Sequence, residues 1–288
     1  MDRFISFEQL GILATIPVVL FFGYGLLAAE KELPVVEPAP IEIEAVRTLE
    51  EGPKDLLPDL VPLPAADLIL QKSPDGSMDI LFSATYFNQG DGAMELVADP
   101  ETAGIPEDIE RDVFQRIFTD DGEYRDELVG NFMWHQEHLH YHFVDFMEYD
   151  LRLVDAPGDD GSTGDLIKST FCVRDVSRVE LSLPNREDEA VYTVCWKERQ
   201  GISVGWGDTY YYNYPDQNID VTDLPTGMYH LTLRVNPEGR LVEKNYQNNE
   251  SWVRFWLDQE RDIISVLTRY PHNSPHVEHV HLDDPFGI

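Results

Sequence analysis

The chain has 288 residues, of which 42% are hydrophobic and 11% are aromatic, so it can bury a sizeable core in one large or two small domains. Its 54 acidic and 21 basic residues give a formal net charge of −33. This charge excludes a nucleic-acid partner, because binding to a phosphate backbone requires the opposite sign. Such an excess of acid is typical either of a protein adapted to high salt or of an ordinary acidic secreted protein, and composition leaves both open.

The first predicted element is an uncharged apolar stretch at residues 10–29. It is long enough to cross the hydrocarbon core of a membrane as a helix. We interpret residues 1–29 as a signal peptide or membrane anchor, and the length of the apolar stretch favours an uncleaved anchor. Arg3 precedes this stretch and an acidic segment follows it, which predicts that the rest of the chain is extracytoplasmic, either membrane-anchored or secreted.

Three further regions follow the apolar segment. Residues 30–55 are acidic and rich in proline, which predicts an extended linker. Residues 56–258 carry the main predicted domain, and residues 259–288 form a C-terminal tail. The tail contains four histidines that we expect to be solvated: His272, His276, His279 and His281.

Short β-strands dominate the predicted domain. Residues 113–119 and 124–129 flank Asp120-Asp121-Gly122, which is a hairpin signature. Turn signals recur along the chain, and no long amphipathic helix competes with them. The sequence therefore predicts an all-β, β-sandwich-like domain with long loops.

Three histidines alternate with other residues in one short stretch. On a β-strand, side chains two residues apart lie about 6.5–7 Å apart on the same face. His138, His140 and His142 would then converge on one side, while Leu139 and Tyr141 would pack on the other. Three imidazoles can bind Cu(II), Zn(II), iron or nickel, and the affinity of such a site peaks at copper. The alternative is a histidine-rich surface strand or a pH-sensitive patch.

Two other stretches help to choose among the possible functions of the histidine stretch: IKSTFC at 167–172 and GISVGWGDTY at 201–210. Taken in order with the histidine stretch, they resemble the catalytic domain of the lysyl oxidase family. The resemblance covers residues 57–257 and includes VNP at 235–237 and NYQNN at 245–249.

This resemblance implies a copper- and quinone-dependent enzyme. It assigns His138, His140 and His142 as ligands of Cu(II), and it assigns Lys168 and Tyr210 as the pair that cross-links to form lysine tyrosylquinone. The implied reaction is the oxidative deamination of peptidyl lysine or small primary amines by O₂, which releases an aldehyde, ammonia and hydrogen peroxide. The residue types suit this chemistry, because a phenol beside copper can be oxidised and a desolvated lysine is a good nucleophile.

The sequence leaves the general base open. Asp208 lies two residues before Tyr210 and would share its face on a strand. His135 and Glu137 are alternatives, and each could instead orient a copper ligand.

The resemblance also implies a Ca²⁺ site, built from oxygen ligands that a hard cation prefers. Its alternative is a simple Asn-rich turn, and Asn245 stands where the family often has Asp. The implied ligands are Asp59, the Leu60 carbonyl, Glu243, Asn245, Asn248 and Asn249.

One disulfide is implied by the resemblance, between Cys172 and Cys195, which are the only cysteines of the chain. Animal members of the family have further bridges, and they carry a cysteine where this chain has Glu137. Nothing in the sequence resembles a collagen-binding segment, so the substrate need not be a matrix protein. The alternatives to an amine oxidase are a non-enzymatic copper-binding surface protein and, less favoured, a zinc-dependent hydrolase.

Overall fold

A computed structural model provides the fold and describes residues 52–99, 110–154 and 166–279, all within one compact unit. The predicted anchor at 1–29 and most of the predicted linker lie outside the described residues. In the part of the chain that the structure describes, no helix is long and apolar enough to cross a membrane.

The described residues contain β-strands and no helix, which confirms the all-β class. In chain order the strands are β1 (Asp55–Leu56), β2 (Leu60–Pro62), β3 (Ala66–Lys72), β4 (Met78–Asn88), β5 (Met94–Ala98), β6 (Arg111–Thr119), β7 (Tyr124–His135), β8 (His140–Leu153), β9 (Leu166–Phe171), β10 (Ser177–Arg178), β11 (Arg199–Ile202), β12 (Trp206–Tyr210), β13 (Asn218–Asp220), β14 (Gly227–Val235), β15 (Glu250–Asp258), β16 (Ile263–Tyr270) and β17 (Glu278–His279).

The strands form two antiparallel sheets. The larger sheet has the order β11-β5-β6-β7-β8-β14-β15-β16, with β1 added to β6 and β9 added to β8. The smaller sheet has the order β13-β4-β12-β10-β17, with β2 and β3 added to β4. The predicted hairpin at residues 120–122 is confirmed as the turn between β6 and β7, where Gly122 adopts a φ of 88° that glycine tolerates without strain.

Aromatic side chains of the two sheets meet in one hydrophobic core. The Tyr86 ring of β4 lies 4.6 Å from the Phe146 ring of β8 and 5.8 Å from the Phe171 ring of β9. Farther along the same strands, the Phe82 and Tyr149 rings lie 5.0 Å apart, edge to face. Such aromatic contacts fix the two sheets against each other, because rings of this size bury a large apolar area.

Strand β8 is the centre of the larger sheet. It pairs with β7 at its start and with β14 through its later residues, while β9 pairs along its other edge. The pairing with β9 shifts between Phe143 and Met147, where Asp145 adopts a φ of 54°. This bulge bends β8. Its first residues form the second strand of the histidine hairpin, and its later residues lie in the middle of the core.

The predicted tail takes part in both sheets. Residues 263–270 form β16 beside β15, and β17 pairs with β10. His279 is exposed, as expected of the tail, but its Nδ1 atom lies 3.0 Å from the Ser177 hydroxyl. The tail histidines His272 and His276 are exposed, and His281 lies outside the described residues.

Candidate metal and cofactor site

The histidine stretch folds as a hairpin, so the prediction of one continuous strand is wrong. Strand β7 ends at His135, residues 136–139 form a turn, and β8 begins at His140. Leu139 takes the left-handed conformation with a φ of 57°, and its amide donates a hydrogen bond to the His135 carbonyl. His138 therefore projects from the turn, whereas the other two predicted ligands project from the strand.

The hairpin still brings the three predicted ligands together. The Nε2 atom of His142 lies 3.1 Å from Nδ1 of His138 and 2.9 Å from Nε2 of His140. Two nitrogens that bind one ion at about 2 Å, at right angles, lie about 2.8 Å apart, so this spacing fits a shared metal ion. All three side chains are buried.

Burial also prepares these imidazoles to bind a metal. It lowers the pKa of His138, and it holds the pKa of His142 well below its usual value, with His140 adding to the effect. A neutral imidazole offers a lone pair, which a metal ligand needs. The Nε2 atom of His138 is buried and has no hydrogen-bond partner among the described residues.

Thr170 contacts one of the predicted ligands and was not identified from the sequence. Its hydroxyl lies 2.9 Å from Nδ1 of His142. When this nitrogen donates to the hydroxyl, Nε2 keeps its lone pair for a metal, which is the usual arrangement around metal-bound histidines. The donor set therefore fits a metal ion such as copper: the candidate ligand atoms of His135, His138 and His142 lie within 4.8 Å of one another, and His140 lies beside His142.

A fourth histidine lies against this cluster. His135 pairs with His140 across the hairpin, so the two share one face of the sheet. The His135 ring stacks on that of His142, with centroids 4.5 Å apart, and its Nε2 atom lies 3.6 Å from a carboxylate oxygen of Asp216. Glu137, the other alternative base, is exposed on the turn.

Tyr210 lies beside the histidine cluster. Its hydroxyl oxygen lies 3.4 Å from Nε2 of His142 and accepts a hydrogen bond of 2.8 Å from the Cys172 amide. The ring is buried and lies 4.0 Å from the Phe171 ring. Burial, with a contribution from Asp208, raises the pKa of Tyr210 well above its ordinary value, so the phenol is neutral at physiological pH.

Lys168 lies in the strand next to the histidine strand. It belongs to β9, where it is paired with Glu148 of β8, and it precedes Thr170 by two residues. The structure describes Lys168 only through its backbone. Its meeting with Tyr210 therefore stays a prediction.

Asp208 occupies the same strand as Tyr210, two residues earlier, and its side chain is 2% exposed. Burial raises its pKa to about 7, against the opposing effect of the Arg174 guanidinium. The Tyr86 hydroxyl donates a hydrogen bond of 3.4 Å to this carboxyl. Asp208 lines one small cavity together with His138, His140, Arg174, Tyr210, Tyr214, Thr209 and the disulfide. A carboxyl group with this pKa can take up a proton near neutral pH.

The predicted disulfide is present and borders the same cavity. Cys172 and Cys195 are bonded, and no free cysteine is left in the chain. Asp175, close to the bridge in sequence, is buried and accepts hydrogen bonds from the amides of Val191, Tyr192 and Ser203. These bonds tie the loop that carries Cys195 to the strand region that carries the site.

The structure brings together four of the predicted calcium ligands. Asn248 donates a 2.7 Å hydrogen bond to Asp59, and Asn249 donates one of the same length to Glu243. The Oδ1 atoms of both asparagines are buried and have no hydrogen-bond partner among the described residues. Burial raises the pKa of Glu243 to about 7, and the nearby Asp59 raises it further. Two carboxylates and two unused amide oxygens are a donor set that suits Ca²⁺.

The other two predicted calcium ligands are placed differently. The Leu60 amide donates a 2.7 Å hydrogen bond to Glu243, and the role of the Leu60 carbonyl stays a prediction. Asn245 accepts a hydrogen bond from the Gln247 amide within its own turn.

Comparison with known proteins gives one matching family model, lysyl oxidase, over residues 125–266. These residues include the histidine hairpin from the second residue of β7 onward, as well as β9 and β12.

Among curated relatives, the chain is 37% identical over 117 residues to human lysyl oxidase homolog 1, which covers 40% of this chain and 19% of that protein. It is 36% identical over 119 residues to chicken protein-lysine 6-oxidase, covering 40% and 26%. It is 32% identical over 132 residues to human lysyl oxidase homolog 4, covering 46% and 16%. The chain thus spans about a quarter or less of the length of these relatives. Residues 125–266 of the chain therefore belong to the lysyl oxidase family.

Proposed function

We propose that this protein is a copper-dependent amine oxidase. It would oxidatively deaminate peptidyl lysine or small primary amines with O₂ and release an aldehyde, ammonia and hydrogen peroxide. The observation that carries the proposal is the 3.4 Å separation between the Tyr210 hydroxyl and Nε2 of His142, inside a cluster of three buried imidazoles. Family membership supports an amine oxidase at the coarse level.

Three imidazoles would hold the copper. Nitrogen ligands suit several divalent metals, and among these the affinity is highest for Cu(II). His142 would be the most rigid of the ligands, because its other ring nitrogen is held by Thr170. His138 would be the most adjustable, because it projects from a turn.

Lys168 and Tyr210 would form lysine tyrosylquinone. This group supplies the electrophilic carbonyl and the redox chemistry that amino-acid side chains lack. The protein contributes the position of the phenol: the Cys172 amide and the Phe171 ring fix Tyr210 so that its hydroxyl faces the metal ligands.

Asp208 would be the general base, with Lys168 and Tyr210 as the other catalytic residues. Its carboxyl shares the cavity with Tyr210, and a pKa of about 7 leaves about half of it ionised at neutral pH. The Tyr86 hydroxyl would hold the carboxyl in place during proton transfer. His135 is the alternative, since it lies against the proposed ligands.

Electrostatics favour a cationic substrate. A net charge of −33 attracts protonated amines toward the protein, and salt screens this attraction. The charge does not distinguish peptidyl lysine from a small amine.

We also propose a structural Ca²⁺ ion at Asp59, Glu243, Asn248 and Asn249. It would neutralise two buried carboxylates and join the start of the domain to the segment before β15. The Leu60 carbonyl and Asn245 complete the predicted ligand set.

We place the protein outside the cytoplasm. The Cys172–Cys195 bridge suits an oxidising compartment, and the apolar stretch at residues 10–29 predicts an anchor or signal segment.

The proposal is tested by loading the full chain with copper under air and supplying a primary amine such as butylamine. We expect amine-dependent hydrogen peroxide and a chromophore that reacts with phenylhydrazine. Tyr210→Phe is the control, since it removes only the hydroxyl and should abolish both signals while copper still binds. A copper-loaded wild type that gives neither signal would contradict the oxidase and favour the copper-binding protein instead.

A further inference from the structure

The C-terminal end of the described chain returns to the strands that carry Tyr210. Strand β17 pairs with β10, with His279 opposite Ser177. Strand β10 in turn pairs with β12, with Ser177 opposite Gly207. One two-residue strand therefore separates the C-terminal segment from the strand of Asp208 and Tyr210.

A chain of hydrogen-bonding side chains crosses these strands. The Nδ1 atom of His279 lies 3.0 Å from the Ser177 hydroxyl, which lies 3.2 Å from that of Thr209. The Thr209 hydroxyl lies 2.9 Å from that of Thr85 in β4. Ser177, Thr209 and Thr85 are all buried. Water therefore cannot easily replace a lost hydroxyl of this chain.

The hydroxyl chain passes through the side chain of Thr209, a residue that also borders the site cavity. Side chains alternate along a strand, so Thr209 points away from the face that Asp208 and Tyr210 share. A slip of β12 by one residue would turn both of those side chains away from the histidines. The chain from Thr85 through Thr209 to Ser177 opposes such a slip, because it fixes β12 between its two neighbours.

Two further contacts hold the C-terminal segment in place. Val277 packs against a small apolar cluster formed by Leu63, Phe87 and Val179. The ring of His279 lies 5.2 Å from that of Tyr211, the residue that follows Tyr210. The segment is thus attached by backbone pairing, by an apolar contact and by a side-chain hydrogen bond.

We propose that His279 and Ser177 are positioning residues for Tyr210 and Asp208. Strand β17 would thus help to fix the geometry of the active site. This strand lies beyond residues 125–266, over which the chain matches its family. In the tautomer whose Nδ1 carries no proton, His279 accepts from Ser177, Ser177 accepts from Thr209 and Thr209 accepts from Thr85; in the other tautomer these directions reverse. His279 thereby sets the direction of every hydroxyl in this chain. The expected effect on the yield of the Lys168–Tyr210 cross-link rests on the proposed function.

Hydrogen exchange and cofactor yield in the copper-loaded full chain test this proposal. The variants are His279→Ala, Ser177→Ala and His279→Asn, whose side-chain amide can replace the imidazole nitrogen. His276→Ala is the matched control, because it removes an exposed histidine of the same segment. We expect His279→Ala to bind copper like the wild type, to exchange the amides of residues 206–210 about tenfold faster, and to yield several-fold less Lys168–Tyr210 cross-linked peptide.

The same experiment separates failure of this inference from failure of the oxidase. His279→Asn should restore exchange and yield, and His276→Ala should leave both unchanged. Wild-type exchange in His279→Ala, or faster exchange with an unchanged yield, would overturn the positioning role. A wild type without any cross-link would contradict the proposed function, and the exchange rates would then decide the inference alone. If Ser177→Ala fails to fold, His279→Ala alone tests the positioning role, since His279 is exposed.

Discussion

Replacing Asp208 with Asn should abolish most of the activity and stabilise the copper-free protein. Asp208 is 2% exposed, and its pKa rises from 3.8 to about 7 on folding. Asn has nearly the same shape and carries no charge. The substitution therefore removes the proposed base and also the free-energy cost of a buried, ionised carboxylate.

The size of the stabilisation follows from the pKa shift. Between pH 3.8 and 7, the folded state keeps a proton that the unfolded state has released, so stability falls as the pH rises through this window. A shift of about 3 units corresponds to about 4 kcal/mol at about 1.4 kcal/mol per unit. Asp208→Asn should recover up to about this free energy above pH 7, reduced by any loss of attraction to Arg174.

Two assays check this prediction. Urea unfolding of the copper-free protein at pH 4.5 and pH 8 should show a loss of stability in the wild type that is smaller in Asp208→Asn. In the copper-loaded protein, kcat/KM should rise with pH with a midpoint near 7 and fall by roughly 100- to 10,000-fold in the variant. Asp223→Asn, which removes an exposed carboxylate, is the control for net charge. Full activity in Asp208→Asn, with the same dependence of stability on pH as the wild type, would refute this reasoning.

Three other expected outcomes test the remaining parts of the site. Thr170→Val should weaken copper binding by roughly 10- to 100-fold, since His142 loses its orienting partner; a chelator competition that gives wild-type affinity would count against this role. Calcium should raise the unfolding midpoint of the wild type but not of Glu243→Gln, and equal shifts in both would argue against a Ca²⁺ ion at this position. Replacing Cys172 and Cys195 with Ser should lower the unfolding free energy by roughly 3 kcal/mol in the chain-entropy model, and an unchanged midpoint in urea would contradict it.

The sequence predicted correctly that the three histidines lie close together, but it did not predict the turn that brings His138 to the other two. Strict alternation of histidines indicated a strand, but His138 projects from a turn. The local pattern could not reveal this, because the turn depends on Leu139 adopting a φ of 57°, which that residue type seldom adopts. The nitrogens nevertheless converge as expected.

Other features depend on contacts between distant residues. Thr170 reaches His142 only because β9 pairs with β8, and a threonine in a strand carries no signal of that contact. In the same way, the sequence did not predict β17, because this strand is only two residues long and acquires its structure from β10. The disulfide, and the proximity of Asn248 to Asp59 and of Asn249 to Glu243, were predicted through the family resemblance, whose motifs preserve long-range neighbours that periodicity cannot show.

The central claim is that Lys168 and Tyr210 are joined beside a copper ion held by three histidines. Mass spectrometry of proteolytic peptides from the full chain, loaded with copper under air, tests it most directly. The account predicts one cross-linked species that contains the peptides of both residues, and its loss in His142→Ala. Unmodified Lys168 and Tyr210 peptides from a fully copper-loaded wild type would contradict it.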